Sequence, residues 1–209
     1  RRAFFFFLIA ASALITAPSI ALAKSIGLSP DQVQSVNRIS GFFNSFTTLQ
    51  GEFTQLSPKG NTSTGTMYIS KPGKMRFDYH APNPFLLVSD GKWVTLKDRA
   101  KEKGDQVPLS ATPLRIVVAP KVDLLRDTNV LAFEQQDGLT SIVLEDKERT
   151  VSGQLMLVYD DQRDTLQQWV IIDGKGRRTT VTLSDLQPDV KVDPKLFVVK
   201  INRKQKGKD

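Results

Sequence analysis

Residues 75–79 read Met75-Arg76-Phe77-Asp78-Tyr79, apolar and charged in strict alternation. Successive side chains of a strand point to opposite faces, so this run is a strand with one dry face and one wet face. Upstream, Pro72-Gly73 makes a tight turn, and Met67-Tyr68-Ile69 precedes it. By strand parity Met67, Ile69 and Lys71 share a face, as do Met75, Phe77 and Tyr79. Before the turn-rich stretch from Ser57 to Gly65, Phe53 sits between Glu52 and Thr54 in the same period of two. Downstream, Phe85 to Val88 is a short apolar run, Asp90-Gly91 a hairpin turn, and Trp93 to Leu96 its return strand. Later strands are expected at Val130–Gln135, Ser141–Glu145, Gln154–Tyr159, Leu166–Ile172, Thr179–Leu186 and Phe197–Ile201, with hairpin turns at Asp137-Gly138 and Asp173-Gly174-Lys175-Gly176. Many short strands with polar turns imply an antiparallel sheet, packed as a sandwich or curved like a barrel.

Two segments follow the helical period instead. Ser29 is placed to cap a helix, Pro30 sits at its first position, and Asp31 faces the positive end of its dipole. Val33, Val36, Ile39, Phe43 and Phe46 then form an apolar stripe along about 16 residues. Thr112-Pro113-Leu114-Arg115-Ile116-Val117-Val118-Ala119 has a cap, a helix-starting Pro and an apolar body, and Pro120 ends it. It is expected to be a helix of about two turns inserted between strands, with a strand as the alternative because it is rich in β-branched residues.

The chain has 209 residues, 40% of them hydrophobic and 24% charged, a balance that permits one domain with its own core. Residues 1–23 are expected to be a secretory signal peptide. Arg1 and Arg2 form its basic start, Phe4 to Ile15 its apolar stretch, and Ala21-Leu22-Ala23 its cleavage site. The domain then runs over 24–201, and 202–209 is a basic, solvated tail. A formal charge of +7 is modest for nucleic-acid binding, and export lowers that reading further.

Chemistry is scarce. Without Cys there is no disulfide, thiol nucleophile or Cys-based metal site. The single His, His80, leaves no His-rich metal site, and no G-x-S-x-G elbow, phosphate loop, G-x-G-x-x-G or H-E-x-x-H occurs. Gly174-Lys175-Gly176-Arg177 lies between strands and reads as a turn rather than an anion cradle. Asp160, Asp161 and Asp164 read as a solvated turn because the distal Glu of a calcium loop is missing. Glu145, Asp146 and Glu148 with Lys147 and Arg149 read as a solvated hairpin edge. No catalytic residue, metal site or cofactor is expected.

The run from Lys71 to Pro82, followed by Leu87-Val88-Ser89-Asp90-Gly91-Lys92, resembles the LolA family of periplasmic lipoprotein carriers. Phe53-Thr54-Gln55 and Thr112-Pro113-Leu114 fit the same pattern, and the likeness spans about Leu28 to Val199, departing from the family after Phe197. The resemblance implies an incomplete, unclosed antiparallel β-barrel with an α-helical lid over a hydrophobic cavity. It implies a non-enzymatic, monomeric periplasmic carrier that receives acylated lipoproteins from an inner-membrane ABC transporter and delivers them to the outer membrane, to a receptor where one exists. A lipid- or glycolipid-binding or sensing protein of the same fold is the alternative. On this reading Phe53, Met67, Ile69, Met75, Phe77, Tyr79, Leu87, Trp93 and Trp169 line the acyl-chain cavity, and Val36, Ile39, Phe43, Leu114, Ile116, Val117 and Val118 form the lid. From pattern alone the same residues also suit an ordinary filled core. The family's typical residue at position 71 is an Arg that bonds lid carbonyls and closes the empty cavity. Lys71 here lacks the planar fork, so it forms a looser latch or snorkels to the rim.

Overall fold

The computed structural model describes residues 25–101, 103–148 and 153–200, so the expected signal peptide 1–23 and the tail 202–209 lie outside the described residues. Helix α1, Pro30–Asn44, begins where its caps place it: Ser29 Oγ accepts from the Gln32 amide, and Gln32 Oε1 accepts from the Ser29 amide. Val36, Ile39 and Phe43 are buried on one side of it. Phe46, expected within the helix, follows its end and is also buried.

The strands are β1 Thr48–Leu56, β2 Thr62–Ser70, β3 Lys74–Tyr79, β4 Phe85–Asp90, β5 Trp93–Asp98, β6 Lys103–Pro108, β7 Thr128–Gln136, β8 Leu139–Asp146, β9 Gly153–Asp160, β10 Thr165–Asp173 and β11 Arg178–Pro188. All pair antiparallel in one eleven-stranded sheet of order β6-β5-β4-β3-β2-β1-β11-β10-β9-β8-β7. The sheet consists of two meanders joined where β1 pairs with β11, and it does not close, because β6 and β7 remain its free edges. Bulges at Gln50/Glu52, Val130/Ala132 and Leu166/Gln168 bend the strands. The curl is deep: Phe77 on β3 and Trp169 on β10, three strands intervening, bring their ring centroids within 5.8 Å.

The concave face holds the core. Register places Leu49 and Phe53 on β1, Met67 and Ile69 on β2, Met75, Phe77 and Tyr79 on β3, and Leu155, Leu157 and Tyr159 on β9 within a single buried cluster. The outer face has a small core of its own. A 3-10 turn, Pro194–Phe197, packs Phe197 on Leu86 and Val88, and Arg76 Nη1 donates to Leu196 O at 3.0 Å.

Two expectations need correction. Residues 113–119 are not a two-turn helix. They form a 3-10 turn, Pro113–Arg115, and then further turns, since β-branched Ile116, Val117 and Val118 pack inward without regular α geometry. The helix that does form, α2, is a single turn at Leu124–Asp127, capped by Asp123. No strand occupies Phe197–Ile201. Phe197 ends the 3-10 turn, 198–200 are irregular, and Ile201 lies outside the described residues. Strand β6, unforeseen, pairs along the whole of β5.

Gly65 shows how tightly the trough is packed. A Cβ there would lie 2.6 Å from Phe53 Cε1 and 2.3 Å from the carbonyl oxygen of Asp78, so only glycine lets the Phe53 ring cross β2. Replacing Gly65 with Ala is expected to cost about 1–3 kcal/mol in urea unfolding. Gly41→Ala on α1, with nothing within 4 Å, is expected to stabilise by about 0.5–1 kcal/mol.

A lidded apolar trough as candidate functional site

Strand β6 ends at one edge of the curled sheet and β7 begins at the other, so residues 109–127 have to cross the trough. That crossing, with α1, covers the concave face. Leu114, Ile116, Val117, Val118, Val122 and Leu124 from the crossing are buried in the same cluster as Val36, Ile39 and Phe43 from α1. The two covering pieces are bonded to each other. Asn44 Nδ2 donates to Val122 O at 2.7 Å, Asn44 Oδ1 accepts from the Val122 amide at 2.8 Å, and Ser40 Oγ accepts from the Leu124 amide at 3.2 Å.

Few polar ties join this cover to the sheet. The Gly73 amide in the β2–β3 turn donates to Val118 O at 2.8 Å. In the same turn Lys71 Nζ donates to Phe43 O, one of the last carbonyls of α1, and stands 4.7 Å above the Phe46 ring. A cation at a helix C-terminus and over an aromatic face is favourably placed. Burial nevertheless pushes the Lys71 ammonium down to about 8 from 10.5. Arg38 on α1 reaches Asp161 in the β9–β10 turn at 3.5 Å. Arg115 of the crossing pairs with Asp146 at the end of β8. The solvated edge expected around Asp146 is therefore corrected at that residue: its carboxylate is 2% exposed, and an arginine from a distant segment holds it.

The residues expected to line a cavity fall into three groups. Phe53, Met67, Ile69, Met75, Phe77, Tyr79 and Trp169 are buried together beneath the cover. Their rings interlock: Phe53 meets Phe77 at 5.0 Å and Tyr79 at 5.1 Å, and Tyr79 Oη donates to Gln55 Oε1 at 2.8 Å. Leu87 is half-buried at the margin of this cluster. Trp93 is misplaced by the sequence reading. Val94 opposes Ser89 on the inner face, so the preceding residue points outward, and Trp93 is 44% exposed.

What the sequence reading missed is a part of the trough that the cover leaves bare. Leu96 opposes Leu87 across β4–β5, Val107 opposes Val94 across β5–β6, and Phe85 stands two residues before Leu87. Phe85, Leu87, Leu96 and Val107 all lie on the concave face by register, continuous with Phe77, which opposes Leu87. Phe85, Leu96 and Val107 are 38%, 39% and 47% exposed. The turn residues of the sequence reading are held by hydrogen bonds, and Asp160, expected to be solvated, is buried. Asp161 accepts from Thr140 and Gln135, Asp164 from Tyr159, and Asp173 from the Lys175 and Arg177 amides. His80 is exposed beside Thr66 and Glu52 on the outer face. Among the described residues no cluster of metal-ligating side chains occurs, and no helix is long and apolar enough to cross a membrane.

The family model described as outer membrane lipoprotein carrier protein LolA matches residues 44–200. An outer-membrane lipoprotein carrier protein of Pseudomonas paraeruginosa is 27% identical over 190 residues, spanning 86% of this chain and 89% of that protein. One of Methylococcus capsulatus is 29% identical over 174 residues, spanning 77% and 81%. Among solved structures, a LolA superfamily protein from Nitrosomonas europaea aligns with a TM-score of 0.47 at 10% identity, over 80% of this chain and 97% of the other.

The buried ammonium gives a pH test of the tie at position 71. The folded chain releases the Lys71 proton near pH 8, whereas the unfolded chain holds it until about 10.5. The unfolded state binds more protons within that window, so the contribution of Lys71 to stability is expected to rise with pH across it. Urea midpoints for the native chain and for Lys71→Arg, whose charge persists, check this: the difference between them should shift in favour of the native chain from pH 8 to pH 10.

Proposed function

The chain belongs to the LolA family, and on that premise we propose that it is a periplasmic carrier which shields the acyl chains of lipoproteins between the inner and outer membranes. It takes them from an inner-membrane ABC transporter and releases them to the outer membrane, catalysing no reaction. The observation that carries this reading is the uncovered apolar wing at Phe85, Leu87, Leu96 and Val107, continuous with a core whose cover is tied down by few polar contacts. An exposed apolar surface contiguous with the core is costly to leave bare in a protein that binds nothing.

Magnitudes explain why such a carrier would be closed when empty. Burying one acyl CH₂ contributes about 0.8 kcal/mol, so roughly forty methylenes would approach 30 kcal/mol. That exceeds the ceiling of about 20 kcal/mol on non-covalent affinity and would forbid release. In the proposed cycle a first stretch of hydrocarbon lies on the bare wing. The rest then displaces α1 and the crossing segment from Phe53, Met67, Ile69, Met75, Phe77, Tyr79 and Trp169. The cover's own apolar contacts are lost as the cargo's are gained, and the net affinity stays low enough for onward transfer. Lys71 acts as the latch, with one donated bond where a guanidinium fork would make two.

The test is to purify the protein from its native periplasm and to look for acylated protein bound to it by mass spectrometry, with the transporter both active and stalled. Bound lipoprotein is expected. Its persistent absence overturns the proposal, and free lipid in its place favours the lipid-binding alternative. Leu96→Asp and Val107→Asp alter exposed side chains, so both variants are expected to fold with native urea midpoints. Each loses the equivalent of a buried aliphatic contact, and affinity for a triacylated lipopeptide should fall about tenfold.

A further inference from the structure

Alternating strand direction puts the β1–β2, β3–β4, β5–β6 and β10–β11 turns at one end of the trough, opposite the end where Lys71 holds α1. The β8–β9 turn lies at the same end, with Lys147 and Glu148 exposed side by side, and the rest of this far rim is basic. Lys59, Lys101, Lys103, Lys175, Arg177 and Arg178 are all exposed on it. Lys101 pairs with Asp98 and Arg177 with Asp173. Lys59, Lys103, Lys175 and Arg178 make no ion pair among the described residues. The turns at the other end are balanced, with Asp90 near Lys92, and Asp161 and Asp164 around Arg163. Between the β1–β2 and β10–β11 turns lies a cleft of about 950 Å³, lined by Lys59, Arg177 and Arg178 together with Leu56, Pro58 and Ile171. Leu56 is 45% exposed and Pro58 is exposed beside it.

We propose that this rim is a docking surface for an anionic lipid bilayer. Bilayer phosphates form a diffuse plane of negative charge, which attracts Lys and Arg within a Debye length and needs no fixed pairing geometry. The rim matches that plane: its cations stand at the tips of separate hairpins, several in no ion pair among the described residues. An acidic protein face would favour guanidinium forks ordered by their neighbours. Leu56 and Pro58 add what a headgroup layer accepts, short apolar side chains beside snorkelling cations. Docking in this way turns the cleft end of the trough toward the membrane and leaves the Lys71 latch at the end facing away. The inference rests on the carrier reading only for its purpose. Membrane binding is measured on the empty protein, so either idea can fail while the other stands.

The test is cosedimentation of the mature protein with vesicles of phosphatidylcholine alone, and with vesicles of three parts phosphatidylcholine to one part phosphatidylglycerol. Binding to the phosphatidylglycerol vesicles is expected, weakening as salt rises, with little binding to phosphatidylcholine. Each cation at a membrane surface contributes about fivefold, so Lys59→Ala/Arg178→Ala should lower partitioning by about 30-fold. Lys74→Ala/Lys92→Ala, at the other end, should leave it unchanged. Equal binding to both vesicles, no binding at low salt, or equal losses in the two double variants would overturn the proposal. So would an intact double variant that binds vesicles normally and loses only an acidic protein partner.

Discussion

An open sheet with one apolar face has to have that face covered, and the strands of this sheet cannot do so themselves. Two meanders joined through β1 and β11 leave free edges at β6 and β7, and the chain passes from one edge to the other only by crossing the trough. The crossing is therefore both a connection and a cover. Its position is imposed by topology, while its grip is set by side chains. Leu114, Ile116, Val117 and Val118 join the buried cluster that holds Phe53, Phe77 and Trp169, in the place a second sheet would take.

The strand ladders bond within the sheet, whereas its apolar face shares one buried cluster with the cover. The cover is held by apolar contact, by Lys71 on Phe43, by the Gly73–Val118 bond and by the Arg115–Asp146 pair. Apolar contact is non-directional, so hydrocarbon of no fixed shape can replace it. The polar ties are directional and few, so in the proposed cycle they would fix where the cover returns when hydrocarbon leaves. A lysine whose ammonium is desolvated is a weaker fastening than a forked guanidinium, which is what the proposed lifting of the cover calls for.

Much of this was legible in the residues. Alternation marked β3 and its neighbours because one face is dry, and the Ser29–Pro30 start marked α1. The resemblance to the carrier family pointed to the shape of the sheet and to position 71. What escaped the reading was set by distant parts of the chain. Strand β6, Lys103-Gly104-Asp105-Gln106-Val107-Pro108, has no apolar period because it is an edge strand with little buried on either side. Trp93 looked like a lining residue because aromatic side chains usually go inward. Its face is decided by Val94 opposing Ser89, which no local pattern reveals. Asp146 looked solvated because its partner, Arg115, lies 31 residues away. Apart from Leu87, the bare wing was invisible for the same reason: Phe85, Leu96 and Val107 are ordinary strand residues until the path of the cover is known.

In the proposed carrier, cover and hydrocarbon compete for one surface. Three backbone amides report on the cover directly: Gly73 bonded to Val118, Val122 to Asn44, and Leu124 to Ser40. Hydrogen exchange at these amides, measured with and without a triacylated lipopeptide, tests the claim most directly. All three are expected to exchange faster in the loaded protein, while the amides of β9 and β10 stay protected. Saturating lipopeptide binding with the three amides unchanged would contradict it.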